Sequence, residues 1–360
     1  MATPGKDIVK TILITAILCS AFWYLFLKQD NVDNSNIIKP PKIEEQPKLP
    51  STDSFREVQA PRANTVYYSS SSWLDIARII DAKITGFHRH FQVNIKPVGS
   101  QQAKQNLINN ASQVPFVVSS SPLSQSEHEQ ANQRGLDLRE TAIALDGIAF
   151  VVNEELPLTE ITVEQIKQIY TREISNWSQI IPGYNQEILA IYPDPKTRGT
   201  GRWFEKEILQ QQAFEHQSCN ITEQQLSNNN ICFVQENTEG KRILKNNANA
   251  IYFATASQVI DECRLTSLKL STENLDKFIA PYTVSSLEGG ECINKKNRVN
   301  TSAFKSQDYP AVRYIYIIAN FDRGTNQEIA EAYTKMIKTN EIQAEIDQNG
   351  KFLSIINSIE

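Results

Sequence analysis

Apolar and polar positions follow each other along most of the chain in blocks that predict strands and amphipathic helices in turn. Residues 64–68 (NTVYY) are β-branched and aromatic and predict a strand, whereas residues 73–84 repeat their apolar side chains at helical spacing. Residues 143–153 and 312–319 predict two longer apolar strands. This alternation of strands and helices is typical of an α/β fold.

The same patterns predict further elements between these blocks. Strands are predicted at residues 91–96, 114–118 and 188–192, and helices at residues 101–110, 163–170, 203–211 and 326–342, the last followed by another helix.

Three of the predicted strands end in small hydroxyl or glycine residues that lead into a helix, at residues 69–72, 99–100 and 197–201. The first turn of a helix has amide groups without partners, and the helix dipole adds partial positive charge there. One such junction is more often an ordinary helix cap than a ligand site. Several that meet at one point would form a receptor for an oxyanion. A further serine run at residues 119–121 follows the strand predicted at 114–118.

Length and charge limit the classes of protein. A chain of 360 residues is longer than one compact core usually requires, so two lobes or domains are expected. The net charge of −5, from 36 basic and 41 acidic residues, comes without a basic cluster and argues against a nucleic-acid partner. Any bound anion must therefore be held by local hydrogen-bond donors.

The N-terminal segment predicts a membrane anchor at residues 1–28. Residues 11–27 are uninterrupted and apolar, at the short end of a membrane span, and Lys6 and Lys10 favour a cytoplasmic N-terminus with the remainder exported. A cleaved signal peptide is the alternative, although no small-residue cleavage pattern follows. Lipidation at Cys19 is less favoured because a leucine precedes it.

Residues 29–62 are polar, contain five prolines and predict a disordered linker, so that the globular part begins near residue 63. An anchor followed by a tether places the folded part in the periplasm or outside the cell.

Cysteine usage agrees with an exported protein. Four cysteines lie outside the apolar segment, an even number that permits two disulfides. Pairing nearest neighbours in sequence gives Cys219–Cys232 and Cys263–Cys292. The two other pairings, and four buried thiols, remain open.

No catalytic signature supports an enzyme. The sequence lacks the G-x-S-x-G, H-E-x-x-H and P-loop motifs, and none of its histidines lies in a strand-end loop with a serine. His88 and His90 could lie on one face of a strand, but no third metal ligand follows at suitable spacing. We therefore expect no enzymatic activity, metal or cofactor, with a hydrolase as the less favoured alternative.

Four segments carry a resemblance to a known family. They are ALDGIAFVVN (residues 144–153), IKQIYTREISNWSQI (166–180), PKTRGTGRWF (195–204) and DYPAVRYIYIIAN (308–320). In these segments the chain resembles the periplasmic phosphate-binding protein of ABC transporters and the wider PBP-like type II substrate-binding superfamily. The resemblance extends from residue 64 to the C-terminus.

The resemblance implies a two-lobed periplasmic-binding-protein (Venus flytrap) fold with two hinge strands. Lobe 1 would comprise residues 63–145 and 313–360, and lobe 2 residues 146–312. An oxyanion, most simply inorganic phosphate, would bind in the cleft for uptake through an ABC permease. The implied ligand-binding residues are Ser70, Ser71, Ser72, Ser100, Ser119, Ser120, Arg198, Gly199 and Thr200.

The chain departs from the family pattern at three positions. Asp194 stands where the family has the arginine of its anion loop, Arg198 where it has the serine, and Ser120 where it has a carboxylate. Arg198 or Arg202 would have to supply the cation from a shifted position. The residues therefore predict oxyanion binding more firmly than phosphate specificity. A membrane-tethered sensory or adhesive module with the same fold is the alternative function.

Overall fold

The computed structural model describes residues 53–210, 218–219, 230–260, 262–271, 277–283, 297–322 and 324–355. The described residues all belong to one compact unit, Pro40–Glu360. The predicted anchor and most of the predicted linker lie outside these residues. Within them, no helix has both the length and the apolar character that crossing a membrane requires.

Strands and helices alternate along the described residues. The strands are β1 (Ala63–Ser69), β2 (Phe91–Pro97), β3 (Phe116–Ser119), β4 (Leu138–Asn153), β5 (Glu160–Thr162), β6 (Leu189–Pro193), β7 (Ile231–Val234), β8 (Ala250–Thr255), β9 (Leu265–Ser267), β10 (Lys269–Ser271), β11 (Tyr282–Thr283), β12 (Arg298–Val299) and β13 (Val312–Asn320). The helices are α1 (Leu74–Phe87), α2 (Ser100–Asn109), α3 (Gln125–Gln133), α4 (Val163–Tyr170), α5 (Gly199–Glu207), α6 (Asn237–Lys245), α7 (Ala256–Val259), α8 (Thr301–Lys305), α9 (Thr325–Ile337) and α10 (Asn340–Asn349).

Strand β4 connects two lobes. The principal strand order is β2-β1-β3-β13-β4-β8-β6-β7, with β9 also paired to β4. Residues 138–147 of β4 pair antiparallel with β13, whereas residues 148–152 pair antiparallel with β8. The first lobe is thus built on β1, β2, β3 and β13, and the second on β6, β7 and β8.

Within each lobe the parallel strands direct their carboxyl ends to one edge. Strands β2 and β3 run parallel to β1, and strands β7 and β8 run parallel to β6. In open α/β sheets this edge is where ligands bind, because the loops and helix starts that follow the strands gather there. The serine-, glycine- and threonine-containing segments that were predicted to link strands to helices, at residues 69–72, 99–100 and 197–201, lie at these carboxyl ends.

The core of the first lobe surrounds an aromatic stack. The rings of Tyr67, Phe116 and Tyr333 form a triangular cluster in which Phe116 stacks on each tyrosine, with centroid separations of 4.7 and 4.6 Å, and the two tyrosine rings are 5.5 Å apart. Both tyrosine hydroxyls donate to the buried Asp81 carboxylate, at 2.8 and 2.6 Å. Burial raises the pKa of Asp81 to about 6, against the opposing effect of these two hydrogen bonds.

The core of the second lobe fixes the helix that follows β6. Phe204 of α5 stacks on Phe253 of β8 with centroids 4.3 Å apart, and Tyr170 meets Phe204 edge-on at 4.7 Å. The Tyr170 hydroxyl donates to the Ile191 carbonyl at 2.8 Å, so this ring also ties α4 to β6. Helix α5 is therefore held firmly by the sheet beneath it.

Two predicted helices have wrong boundaries, and the first of them, α5, is shifted at both ends, since it ends at Glu207 and not at residue 211. Helix α5 begins at Gly199, not at residue 203, because its glycine-rich first turn is held by packing against its surroundings in spite of low helix propensity. The helix predicted at 326–342 ends at Ile337, since Thr339 adopts an extended backbone and caps α10 through a hydrogen bond from the Ile342 amide.

The predicted disulfide between Cys219 and Cys232 is confirmed. It lies beside β7, where the Cys219 amide donates to the Phe233 carbonyl at 2.9 Å. Cys263 is also disulfide-bonded, whereas Cys292, its predicted partner, lies outside the described residues.

Candidate functional site

A small polar cavity lies between the two lobes. The volume open to the centres of water molecules is about 20 Å³, which suits a small ion rather than a sugar. The lining residues come from both lobes: Ser70, Ser71, Ser72, Gly99, Ser100 and Ser120 from the first, and Arg198, Gly199, Thr200, Asn237, Thr255 and Gln258 from the second.

Helix starts surround this cavity. No side chain caps α2, α5 or the short 3-10 helix Ser71–Trp73, so their first amide groups are left to whatever occupies the cleft. By contrast Ser124, Thr162 and Thr339 cap α3, α4 and α10, which begin elsewhere. Helices α6 and α7 also begin at the cavity, since Asn237 and Thr255 line it. Neither of these helices has a capping side chain.

Glycines let the two lobes approach closely. Gly99 has a φ of 85°, a left-handed conformation that suits glycine, and a Cβ there would lie 3.0 Å from the Thr197 carbonyl oxygen. A Cβ on Gly199 would lie 2.4 Å from the Ser120 Oγ and 2.8 Å from the Ser100 Oγ. Side chains at either position would therefore hold the lobes apart.

Two buried serines of the first lobe form a unit. The Ser120 amide donates to the Ser100 Oγ at 3.0 Å, and the hydroxyl oxygens of these residues are 2.9 Å apart. Lys104, one turn further along α2 than Ser100, is fully buried and donates to the Pro122 carbonyl at 3.0 Å and to Glu127 at 2.8 Å. This ion pair fixes the serine turn against α2.

Burial and charge act in opposite directions on the pKa values of Lys104 and Glu127. Burial lowers the pKa of Lys104 and outweighs the opposing attraction of Glu127. Burial acts to raise the pKa of Glu127, but the Lys104 ammonium and the Ser124 amide lower it below its ordinary value. Glu127 is therefore ionised and committed to Lys104.

Arg198 connects the lobes across the cleft. Its Nη1 donates to the Ser71 Oγ at 3.1 Å and its Nε to the Gln235 carbonyl at 2.6 Å. Glu236 forms an ion pair with the Nη2. A guanidinium has only donors, so the Ser71 hydroxyl must accept here.

A second arginine reaches the site from the hinge. Arg313 of β13 donates to the Asp146 Oδ2 from Nε at 3.1 Å and from Nη2 at 2.9 Å, and its Nη1 donates to the Thr200 Oγ1 at 3.1 Å. Both members of the ion pair are almost completely buried. Burial raises the pKa of Asp146, while Arg313 acts to lower it.

The predicted ligand residues come together with one exception. Ser70, Ser71, Ser72, Ser100, Ser120, Arg198, Gly199 and Thr200 line the cavity. Ser119 lies behind them, and its hydroxyl donates to the Ser121 carbonyl at 2.6 Å. Arg202 is directed away from the cavity towards Glu127, 3.8 Å away.

Three further residues that line the cavity, Asn237, Thr255 and Gln258, were not predicted from the sequence. A signal was present, since the run AIYFAT–AS repeats the strand–hydroxyl–helix pattern of the recognised junctions. His88 and His90, by contrast, contact the carbonyls of Phe55 and Ala60, each at 3.0 Å.

A two-lobed α/β fold whose interlobe cleft is lined by helix starts is typical of binding proteins of the periplasmic kind. This chain belongs to the PBP superfamily: the model of the PBP superfamily domain matches residues 58–338. The resemblance found in the sequence is thereby confirmed, and membership of a superfamily of binding proteins agrees with the expected absence of enzymatic activity.

Curated relatives are similar over part of their length. Phosphate-binding protein PstS of Staphylococcus aureus (strain USA300) is 23% identical over 207 residues, 57% of this chain and 58% of the relative. Phosphate-binding protein PstS of Staphylococcus epidermidis is 26% identical over 145 residues, 40% of this chain and 44% of the relative. The chain thus spans less than two thirds of the curated relatives it matches.

Solved structures support the fold. An ABC-type phosphate transport receptor from Vibrio cholerae aligns with a TM-score of 0.57 at 19% identity, over 81% of this chain and 99% of the receptor. A phosphate ABC transporter substrate-binding protein from Clostridium perfringens, solved with bound phosphate, aligns with a TM-score of 0.58 at 19% identity, over 81% of this chain and all of that one.

Proposed function

We propose that the protein is an extracytoplasmic solute-binding protein that captures a tetrahedral oxyanion, phosphate first, in the interlobe cleft. One observation carries the proposal: uncapped helix starts from both lobes line a single cavity large enough for a small ion. Amide groups at helix N-termini bind anions through hydrogen bonds and the helix dipole. Phosphate is the ligand named for the relatives in Staphylococcus and for the solved receptors.

The ligand would act by joining the lobes. Ser100 and Ser120 of the first lobe and Gly199 and Thr200 of the second would all contact one anion, which therefore binds the closed form better than the open form. A ligand shifts a conformational equilibrium through this difference in affinity. Closure and capture would then be one event. The lobes would divide at residues 145/146 and 312/313, near the change of partners along β4.

The N-terminal sequence supports a location outside the cytoplasm. The apolar segment 11–27 with Lys6 and Lys10 before it supports an anchor, and the proline-containing linker after it would let the folded part reach an ABC permease in the same membrane. The protein would act in the periplasm or outside the cell.

Calorimetric titration of the purified full chain with inorganic phosphate tests the proposal. We expect binding at micromolar concentration or tighter. Ser71→Ala and Thr200→Ala should each weaken it by about 1–3 kcal/mol, because each removes a donor from a largely dry cleft. Ser112→Ala and Thr325→Ala, at exposed positions outside the cavity, are the matched controls and should leave the affinity unchanged. Wild-type affinity in the Ser71→Ala, Thr200→Ala double variant would refute the assignment.

Deletion in the native organism separates transport from sensing. Loss of phosphate uptake that the wild-type chain restores, and that the double variant does not, would support solute capture for a permease. Normal uptake with an altered response to phosphate would favour the sensory module instead.

A further inference from the structure

Two hydroxyls in the cleft are oriented as donors by arginines. The Ser71 Oγ accepts from Arg198 and the Thr200 Oγ1 accepts from Arg313, each at 3.1 Å. Because an arginine cannot accept, the hydrogen of each hydroxyl is directed elsewhere. Within the described residues neither hydroxyl has another hydrogen-bond partner, so each hydrogen is available to a ligand.

The Ser100 and Ser120 hydroxyls of the first lobe also leave a hydrogen-bond donor for a ligand. The Ser100 Oγ already accepts from the Ser120 amide at 3.0 Å. The two hydroxyl oxygens are 2.9 Å apart, so one hydroxyl donates to the other and the hydrogen of the acceptor is left for a ligand. The pair therefore also presents a donor to the cavity.

The side-chain amides of the second lobe that line the cavity also have acceptor oxygens that are already hydrogen-bonded. The Asn237 Oδ1 accepts from the Tyr252 hydroxyl at 2.7 Å. The Asn237 Nδ2 donates to the Gln258 Oε1, so both carbonyl oxygens are already used. What Gln258 retains for the cavity is its amino group, which is a donor.

Within the described residues no carboxylate lines the cavity, and the carboxylates nearby already accept hydrogen bonds from other groups, although the buried Oδ1 of Asp146 has no partner. Asp194 accepts from the Lys196 amide and from Gln235, both at 2.9 Å. Three further carboxylates pair with basic side chains: Glu127 with Lys104, Asp146 with Arg313 and Glu236 with Arg198. The cleft thus contains many donors and no ionised acceptor.

From this donor set we infer that the cleft recognises the charge and shape of a fully ionised tetrahedral dianion and accepts sulfate as well as phosphate. The inference rests on the proposed function and specifies its ligand class. Hydrogenphosphate carries a proton that needs an acceptor, and among the side chains that line the cavity this proton meets neutral hydroxyl oxygens, some of which already accept a hydrogen bond, and no carboxylate. Sulfate has no such proton at neutral pH, so every oxygen can accept from the cleft.

Competition calorimetry on the full chain tests the inference with two probes, inorganic phosphate and sulfate. Sulfate is expected to bind within about tenfold of phosphate or more tightly. The proton of hydrogenphosphate finds no carboxylate acceptor among the described residues of the cleft, so the two anions should differ by no more than the free energy of about one hydrogen bond. Phosphate binding more than about 100-fold tighter than sulfate would overturn the inference and leave the proposed function standing. Binding of neither anion would overturn both.

A matched pair of variants tests the acceptor argument directly. Ser120→Asp adds an ionised acceptor to the cleft, and Ser120→Asn adds the same bulk without charge. The aspartate variant is expected to bind sulfate at least about 100-fold more weakly than the asparagine variant, with a smaller loss for phosphate. Equal losses of sulfate affinity in the two variants would contradict the inference. If Ser120→Asp does not fold, the sulfate-to-phosphate ratio of the wild-type chain decides.

Discussion

Arg313 and Asp146 are register partners on the two antiparallel strands at the hinge, and they form an ion pair that is almost completely buried. The third hydrogen bond of Arg313 goes to Thr200, at the start of helix α5. The hinge and the cavity are therefore linked through one side chain.

Truncation of this arginine should destabilise the protein strongly. Arg313→Met leaves the Asp146 carboxylate buried without its partner, and such a loss costs about 3–5 kcal/mol. Chemical denaturation of the variant would measure it. Combining Arg313→Met with Asp146→Asn should recover part of the loss, since the uncompensated charge is then absent. Additive effects of the two substitutions would contradict a coupled pair.

Gly199→Ala should impair closure without unfolding either lobe. The added Cβ would lie 2.4 Å from the Ser120 Oγ of the opposite lobe, and that contact exists only when the lobes are together. We expect phosphate affinity to fall at least about tenfold, and the radius of gyration in the presence of phosphate to increase in small-angle scattering.

Gly86→Ala is the matched control for this substitution. A Cβ at Gly86, within helix α1, meets nothing within 4 Å, so this change should leave ligand affinity unaltered and raise stability by about 0.5–1 kcal/mol. Equal affinity of the Gly199→Ala variant and the wild-type chain would exclude the close approach described here.

Asp81 should make the first lobe less stable as the pH rises. Its pKa is raised from 3.8 in the unfolded chain to about 6 in the fold. Between these values the folded state binds more protons than the unfolded state, so its stability falls as the pH increases through the interval and stays lower above it. The total loss is about 2–3 kcal/mol.

Asp81→Asn removes this titration while keeping an oxygen and an amino group for the two tyrosines. Denaturation from about pH 4 to about pH 7 should give a flatter stability profile for the variant than for the wild-type chain. Parallel profiles would show that the carboxyl group does not titrate in this interval.

Replacement of the disulfide beside β7 should lower stability. The Cys219→Ser, Cys232→Ser double variant frees the segment between these residues in the unfolded chain, and closing a loop of this size contributes about 3 kcal/mol. Thermal unfolding measures the effect. Strand β7 precedes Gln235, whose carbonyl holds Arg198, so phosphate affinity should also decline. An unchanged unfolding midpoint would mean that the bridge does not constrain the chain.

The α/β class, six of the thirteen described strands and the serine and threonine corners of the cleft could be predicted from the sequence, because each depends on local patterning. The start of α5 at Gly199 was not predictable in this way, since packing overrides the low helix propensity of its glycines. Arg313 also escaped notice, because its role depends on pairing with a residue 167 positions away along the chain. Ser119 and Ser120 could not be told apart either, because the contacts that orient them, from the Ser119 hydroxyl to the Ser121 carbonyl and from the Ser120 amide to the Ser100 Oγ, depend on the folded turn.

The cleft depends on peptide and hydroxyl groups, and the charge of Arg198 is balanced by Glu236, which has a consequence for the range over which the cleft attracts an anion. The interaction of an ion with a dipole weakens faster with distance than that between two ions, and the chain as a whole is negatively charged. Capture should therefore take place at contact, without long-range steering of the anion through solution. Ambient salt would then change the association rate little, which suits a receptor exposed to an external medium of variable composition.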